Sequence, residues 1–255
     1  MNACSLIANL VSASKMYASN CAVHFPEKTL TYAELDTRSL ELASCIKNFY
    51  QDTYNKELKK GSLIGIYLER SPELIIAIYA ILRLGCTYVP INTDYPKNRI
   101  QHIFEDAILE ICITQISLNS KLSSYVRQIR SDALLIELDD KLFLNSYKNS
   151  PLILNSFYEE SLPIYLMYTS GSTGRPKGVL VSQKSVLNLI ESQKKLFSLS
   201  PDCRVLNLAN CSFDASVWEI FVTLHCGATL CMAPEEKILP GDILAKTLEE
   251  YKVTH

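Results

Sequence analysis

Glycine is scarce in this chain, at 8 of 255 residues. That leaves too little flexible backbone for a linker-rich or low-complexity protein. Charge of either sign is also without excess, with 25 Lys+Arg against 27 Asp+Glu and a net charge of −2. The balance gives no reason to expect nucleic acid or an anionic membrane surface as a partner. No basic stripe interleaved with aromatics appears. The longest apolar run, residues 74–82, is far too short to cross a bilayer. Residues 1–20 carry no basic start before their apolar positions, so they do not read as a signal peptide. The 9 cysteines form no C-x-x-C pair, and the 4 histidines have no metal-ligand spacing with them. The expectation is reduced, mostly buried thiols in a cytosolic protein, with no bound metal.

The few glycines are unevenly placed. Three of them, Gly171, Gly174 and Gly178, fall in Tyr165-Leu-Met-Tyr-Thr-Ser-Gly-Ser-Thr-Gly-Arg-Pro-Lys-Gly-Val179. Such a concentration marks a place where bare backbone approaches something closely. Thr169, Ser170, Ser172 and Thr173 add hydroxyls there, and Lys177 adds an ammonium. Those are the donors that a polyphosphate needs. A surface linker does not fit, because β-prone residues 164–168 lead in and Val179-Leu-Val181 follows at once. The pattern predicts an ordered hairpin with a phosphate-gripping loop at its tip. The common P-loop, G-x-x-x-x-G-K-[ST], fits less well. Lys177 follows Gly174 by three positions, and Gly178 stands where the magnesium-binding hydroxyl belongs.

Around this hairpin, strands alternate with helices. Residues 63–68 read as a buried strand, and Ser71 as the cap of a helix with Pro72 at its first position and Glu73 near its positive end. Leu74, Ala77, Ile78 and Ile81 share its buried face, and Gly85 stops it. A strand over 88–91 follows, then a helix opened by Pro96 with Ile100, Ile103, Phe104 and Ala107 on one side. Further strands are predicted over 111–114 and 133–138, with a polar approach loop over 139–162. After the hairpin, Ser182 is expected to cap a helix through Val186, Leu189 and Ile190. A strand over 205–209, a helix over 215–224, a strand over 228–232 and a helix over 242–251 complete the pattern. Ile243, Leu244 and Leu248 are expected to face inward. Residues 253–255 read as the start of one more strand. Such alternation implies an α/β fold of mostly parallel sheets flanked by helices.

Four segments together resemble a known family. The phosphate stretch is similar to that of the adenylate-forming enzymes, and its Ser172 form is closer to the amino-acid adenylation domains of nonribosomal peptide synthetases. Leu30-Thr-Tyr-Ala-Glu-Leu35 resembles the first core motif of those domains. Leu82-Arg-Leu-Gly-Cys-Thr-Tyr-Val-Pro-Ile91, with Asp94-Tyr-Pro96 and Arg99-Ile100, resembles the second. Ser212-Phe-Asp-Ala-Ser-Val-Trp-Glu-Ile220 resembles the fourth, where the amino-acid pocket begins. The resemblance runs from about residue 25 to residue 255 and implies the N-terminal part of the adenylate-forming fold, truncated, over residues 1–255.

The implied reaction is attack of an amino-acid carboxylate on the α-phosphorus of ATP, releasing pyrophosphate. Positioning and charge stabilisation carry it, since a carboxylate needs no general base. On this resemblance Thr169, Ser170, Gly171, Ser172, Thr173, Gly174 and Lys177 hold the phosphates, and Lys177 offsets charge on the leaving pyrophosphate. Arg175 stands where the family commonly has lysine. Asp214 falls where an aspartate pairs with the substrate α-amino group. From spacing alone it reads equally as the N-cap of the helix at Ala215. Phe213, Ala215 and Trp218 border it, and Ala215 and Trp218 match pocket walls of domains that take apolar amino acids. For Trp218 an ordinary core position remains the alternative. Gln183 stands where the family often has histidine. Glu69, Arg70, Tyr95 and Arg99 match the family and read as caps, turns and surface pairs. Magnesium ligands, the ribose-binding aspartate and the mobile C-terminal lysine of the family are not among these 255 residues. Phosphopantetheine would belong to a separate carrier domain, and carrier and condensation domains are the implied partners. Two alternatives stand beside this reading: a catalytically incomplete remnant or nucleotide-binding module, and a fatty- or aryl-acid ligase of the same superfamily.

Overall fold

Local chemistry around residue 31 starts the fold. After α1 (Leu6–Met16), strands β1 (Cys21–Phe25) and β2 (Lys28–Thr31) pair antiparallel, and Thr31 caps α2 (Tyr32–Tyr54). The Glu34 N–H donates to Thr31 Oγ1 at 3.2 Å, and the Thr31 N–H donates to Glu34 Oε2 at 2.8 Å. This is a reciprocal capping box, which satisfies two helix-end donors at once. The Leu-Thr-Tyr-Ala-Glu-Leu motif is therefore a helix start. Its apolar members Leu30, Tyr32 and Leu35 are buried. The Tyr32 hydroxyl donates to the Ala228 carbonyl at 2.7 Å, tying α2 to a distant part of the chain.

The computed structural model describes residues 5–26, 28–140, 161–170 and 175–255. Most of the approach loop expected over 139–162 lies outside them. Two sheets form. The larger runs β6-β5-β3-β4-β7-β8. Its strands are β3 (Leu63–Ile66), β4 (Thr87–Pro90), β5 (Ile111–Thr114), β6 (Leu134–Glu137), β7 (Pro163–Thr169) and β8 (Lys177–Ser182). All its pairs are parallel except β7 with β8. The smaller runs β2-β1-β10-β9, with β9 (Arg204–Leu206) and β10 (Thr229–Cys231). There β1 pairs parallel with β10, placing Val23 opposite Leu230. The mostly parallel α/β architecture stands.

Helices cross over between the strands: α3 (Pro72–Arg83), α4 (Lys97–Asp106) and α5 (Ile116–Val126). α3 packs against strands of both sheets and is buried nearly all round. That accounts for its continuous apolar run, which a single buried face would not require. Gly85 ends this segment at φ +68°, a left-handed conformation that other residues adopt at a cost. Ser71 occupies the N-cap position but makes no capping bond. Its hydroxyl donates instead to the Glu69 carbonyl at 3.3 Å. Ser182 does cap α6 (Gln183–Leu196), accepting from the Ser185 N–H at 3.4 Å.

Residues 215–225 are not one regular helix. α7 (Ala215–Val217) passes into a π-helical turn, Trp218–Val222, and then into α8 (Thr223–His225). The last helix, α9 (Asp242–Glu250), corrects another expectation. Ile243 and Leu248 remain 47% and 36% exposed, and Leu244 is only partly covered. The buried residue is Thr247, whose hydroxyl donates to the Lys237 carbonyl at 2.7 Å and so turns a polar face inward. Beyond α9, Thr254 and His255 exchange backbone hydrogen bonds with Arg204 and Leu206 along β9, as a strand start would. The eight described cysteines are free thiols, six of them buried. Burial pushes Cys86 and Cys211 up to about 12, which keeps them protonated and unreactive. Among the described residues no helix is long and apolar enough to cross a membrane.

Candidate functional site

The hairpin read from the sequence is present. β7 and β8 pair from Pro163 opposite Ser182 to Thr169 opposite Lys177. β7 is buried over residues 164–168 and emerges at Thr169 and Ser170, which are exposed. Lys177 is also exposed and opens β8 directly across from Thr169. Two donors of the predicted phosphate grip thus face each other where the ladder ends. Gly171, Ser172, Thr173 and Gly174 lie outside the described residues. Gly178 is closely approached, since a Cβ there would sit 2.8 Å from Leu166 Cδ1, whose side chain would have to shift.

Tyr95 and Arg99, expected to be surface pairs, link this hairpin to the pocket segment. The Arg99 guanidinium lies 3.8 Å over the Tyr95 ring and donates to the Tyr168 carbonyl at 3.3 Å. The Tyr95 hydroxyl donates to Ser212 Oγ at 3.1 Å. Ser212 in turn donates from its N–H and its hydroxyl to Asn210 Oδ1, at 3.0 and 2.9 Å. This turn brings the chain into Phe213, Asp214 and Ala215, all exposed.

The helix-cap alternative for Asp214 is not realised. Asp214 has helical φ −62° and ψ −27°, and its side chain makes no capping bond. The Tyr165 hydroxyl is pushed up mainly by burial and secondarily by the Asp214 charge, which places that carboxylate near the buried part of β7. Trp218 is half-buried and meets Phe197 edge-on at 5.1 Å. It is thus partly a packing residue, as the alternative for it held.

Nothing in the residue pattern points to the groups that anchor the approach to the pocket segment. Glu219, on the π-helical turn, is buried and accepts from Asn207 Nδ2 at 2.6 Å and from the Ala209 N–H at 3.1 Å. Burial raises its pKa, although those same bonds pull it down. Arg70 reaches over from the end of β3, corrected from a cap or turn to a clasp between the sheets. It donates to the carbonyls of Ala233 at 3.0 Å and Ala209 at 3.1 Å, and to that of Asn207. Glu69 does remain at the surface, paired with Gln115. Gln183 has a role of its own, its Oε1 accepting from the Leu6 N–H at 3.0 Å. Among the described residues no group of three or more His, Cys, Asp or Glu is placed to hold a metal ion.

Residues 11–255 match the family of AMP-binding enzymes. Bacitracin synthase 3 of Bacillus licheniformis is 34% identical over 252 residues, which are 99% of this chain and 4% of that protein. Among solved structures, the AMPPNP-bound form of the nonribosomal peptide synthetase FmoA3 is similar at TM-score 0.83 and 29% identity. The match covers 99% of this chain and 25% of that one. The N-terminal subdomain of NpsA of Klebsiella oxytoca, in complex with 3-hydroxyanthranilyl-AMSN, is similar at TM-score 0.77 and 25% identity. Here 98% of this chain and 58% of that one are covered. The chain thus spans a small part of its curated relative's length and somewhat over half of the NpsA subdomain.

Proposed function

From the premise that this chain belongs to the AMP-binding enzyme family, we propose that it forms the N-terminal part of an amino-acid adenylation domain. The reaction is activation of an amino acid as its aminoacyl-adenylate, in nonribosomal peptide synthesis. The substrate carboxylate oxygen bonds to the α-phosphorus of ATP, and the bond from that phosphorus to the bridging oxygen breaks. Pyrophosphate carries the electron pair away. Thr169, Ser170 and Lys177 supply exposed donors for the polyphosphate, joined by Gly171, Ser172, Thr173 and Gly174 of the same loop. Lys177 offsets the charge that grows on the leaving group. Magnesium would arrive with ATP, its protein ligands lying largely outside this chain. The acyl acceptor would be phosphopantetheine on a carrier domain, with a condensation domain beyond it.

The observation that carries this reading is Asp214. Its carboxylate caps no helix, stands exposed beside Phe213 and Ala215, and its charge reaches the Tyr165 hydroxyl of β7, the strand that leads into the phosphate loop. An ammonium drawn out of water needs such a compensating charge. Phe213, Ala215 and Trp218 around it suit an apolar side chain. The NpsA likeness favours a second reading, an aryl-acid ligase, because that subdomain holds an aryl-adenylate analogue. Amino-acid-dependent ATP–pyrophosphate exchange by the full-length protein separates the two. Exchange with an amino acid, weakened about 10²-fold or more by Asp214→Ala, is the expected result. Normal exchange in that variant removes the α-amino role. Exchange only with acids that lack an α-amino group revives the aryl-acid reading. No exchange with any acid leaves a nucleotide-binding module.

A further inference from the structure

One face of α4 grips both arms of the phosphate hairpin. Arg99, His102 and Asp106 recur at helical spacing of three and four, so they lie one above another. Arg99 donates to the Tyr168 carbonyl at 3.3 Å, and the Tyr168 hydroxyl donates to Asp106 Oδ2 at 2.7 Å. Both contacts hold the β7 arm. Of these three, His102 reaches across to the other arm, its Nε2 lying 3.0 Å from the Pro176 carbonyl. A carbonyl can only accept, so Nε2 carries the proton. The same imidazole meets the Tyr168 ring edge-on, with centroids 6.0 Å apart. It therefore touches both strands where the loop between them begins and ends.

Pro176 is the residue before Lys177 and has no N–H of its own. Its carbonyl is the only backbone group through which that point can be hydrogen-bonded. The ladder beyond it starts at Lys177 opposite Thr169. The Tyr168 ring lies against β8 beside Gly178 and within reach of α4. The position of the Lys177 backbone thus depends on the ladder on one side and on His102 on the other.

We propose that His102 is a positioning residue for ATP: it fixes the strand arm ahead of Lys177, so that the ammonium and the hydroxyls of Thr169 and Ser170 meet the polyphosphate together. This rests on the adenylation reading above. It concerns ATP and not the amino acid, because the pocket segment is held by other groups. A glutamine at 102 can place an amide N–H near the imidazole Nε2, whereas alanine cannot.

The test uses the full-length protein with His102→Ala and His102→Gln. Pyrophosphate exchange gives KM for ATP and for the amino acid, and hydrogen exchange of residues 175–182 is followed without ligand. For His102→Ala we expect KM for ATP to rise about three- to ten-fold, the range of one lost hydrogen bond. KM for the amino acid should hold, and amides over 175–182 should exchange faster. His102→Gln should restore all of these towards wild type. An unchanged KM for ATP in His102→Ala, an equal rise in both KM values, or no rescue by glutamine would overturn the proposal while leaving adenylation intact. Absence of exchange in the wild type would remove the adenylation reading, and this inference with it.

Discussion

The phosphate hairpin is braced from outside, by side chains of a neighbouring helix that touch its arms and leave Thr169, Ser170 and Lys177 exposed. The pocket segment is fastened at its approach, residues 207–209, by the buried Glu219 carboxylate and the Arg70 guanidinium. The hairpin keeps Thr169, Ser170 and Lys177 accessible to a ligand. Residues 207–209, which lead into the pocket segment, are held by Glu219 and Arg70 from two different elements. Groups that must grip polyphosphate gain from being left free to close. A pocket that must discriminate gains from rigidity.

The sharpest way to test this contrast is to remove one group from each arm. Lys177→Ala should lower kcat for adenylation by about 10²–10³-fold, the scale of a lost transition-state charge partner. It should leave the thermal midpoint where it was, because Lys177 is exposed. A large loss of stability in that variant would show the hairpin to be a folding element first. Glu219→Ala should act the other way. It strips the acceptor from Asn207 Nδ2 and the Ala209 N–H in a buried place, and should cost about 2–4 kcal/mol in urea unfolding. A cost well under about 1 kcal/mol would mean that the pocket segment is held by packing alone.

A finer effect concerns pH. Burial raises the Glu219 pKa above the ordinary glutamate value of 4.5. In the interval above 4.5 the folded protein keeps a proton that the unfolded chain has released. Its contribution to stability is full below that interval and falls as pH rises through it. The slope is no steeper than about 1.4 kcal/mol per pH unit. Glu219→Gln cannot ionise, so the stability of wild type relative to this variant should decline as pH rises from 4.5. Parallel urea titrations of the two proteins at several pH values read it directly. Parallel, pH-independent curves would show that Glu219 does not titrate on its own.

Residues with local signatures were legible in the sequence. The hairpin was visible because glycine clusters where backbone must approach closely, and α3 because Pro72 and Gly85 bracket an apolar run. The exchange of bonds between Thr31 and Glu34 lies within one helical turn, and the quoted motif contains it. Strand pairing was not legible in the same way. Alternation of strand and helix locates elements but carries nothing about which strand lies beside which, so the strand order within each sheet was not legible. The π-helical turn was hidden for a related reason, since one widened turn barely alters the period of apolar positions. Arg70 and Glu219 look like ordinary charged residues until the fold carries them inside. For Asp214, spacing left cap and ligand equal, and only the backbone conformation removed the cap.

The pairing of β1 with β10 joins Val23 to Leu230. On the ribosome, β1 and β2 are made early and can pair with each other, but their sheet stays half-built until β10 has been synthesised. At usual rates that delay is roughly 10–40 s. During it the β1 edge that β10 will cover presents unpaired backbone donors and acceptors, open to any other chain nearby. The larger sheet has no such wait for β3, β4 and β5, which follow one another closely. Of the two sheets, the smaller is the one whose birth is most exposed to error.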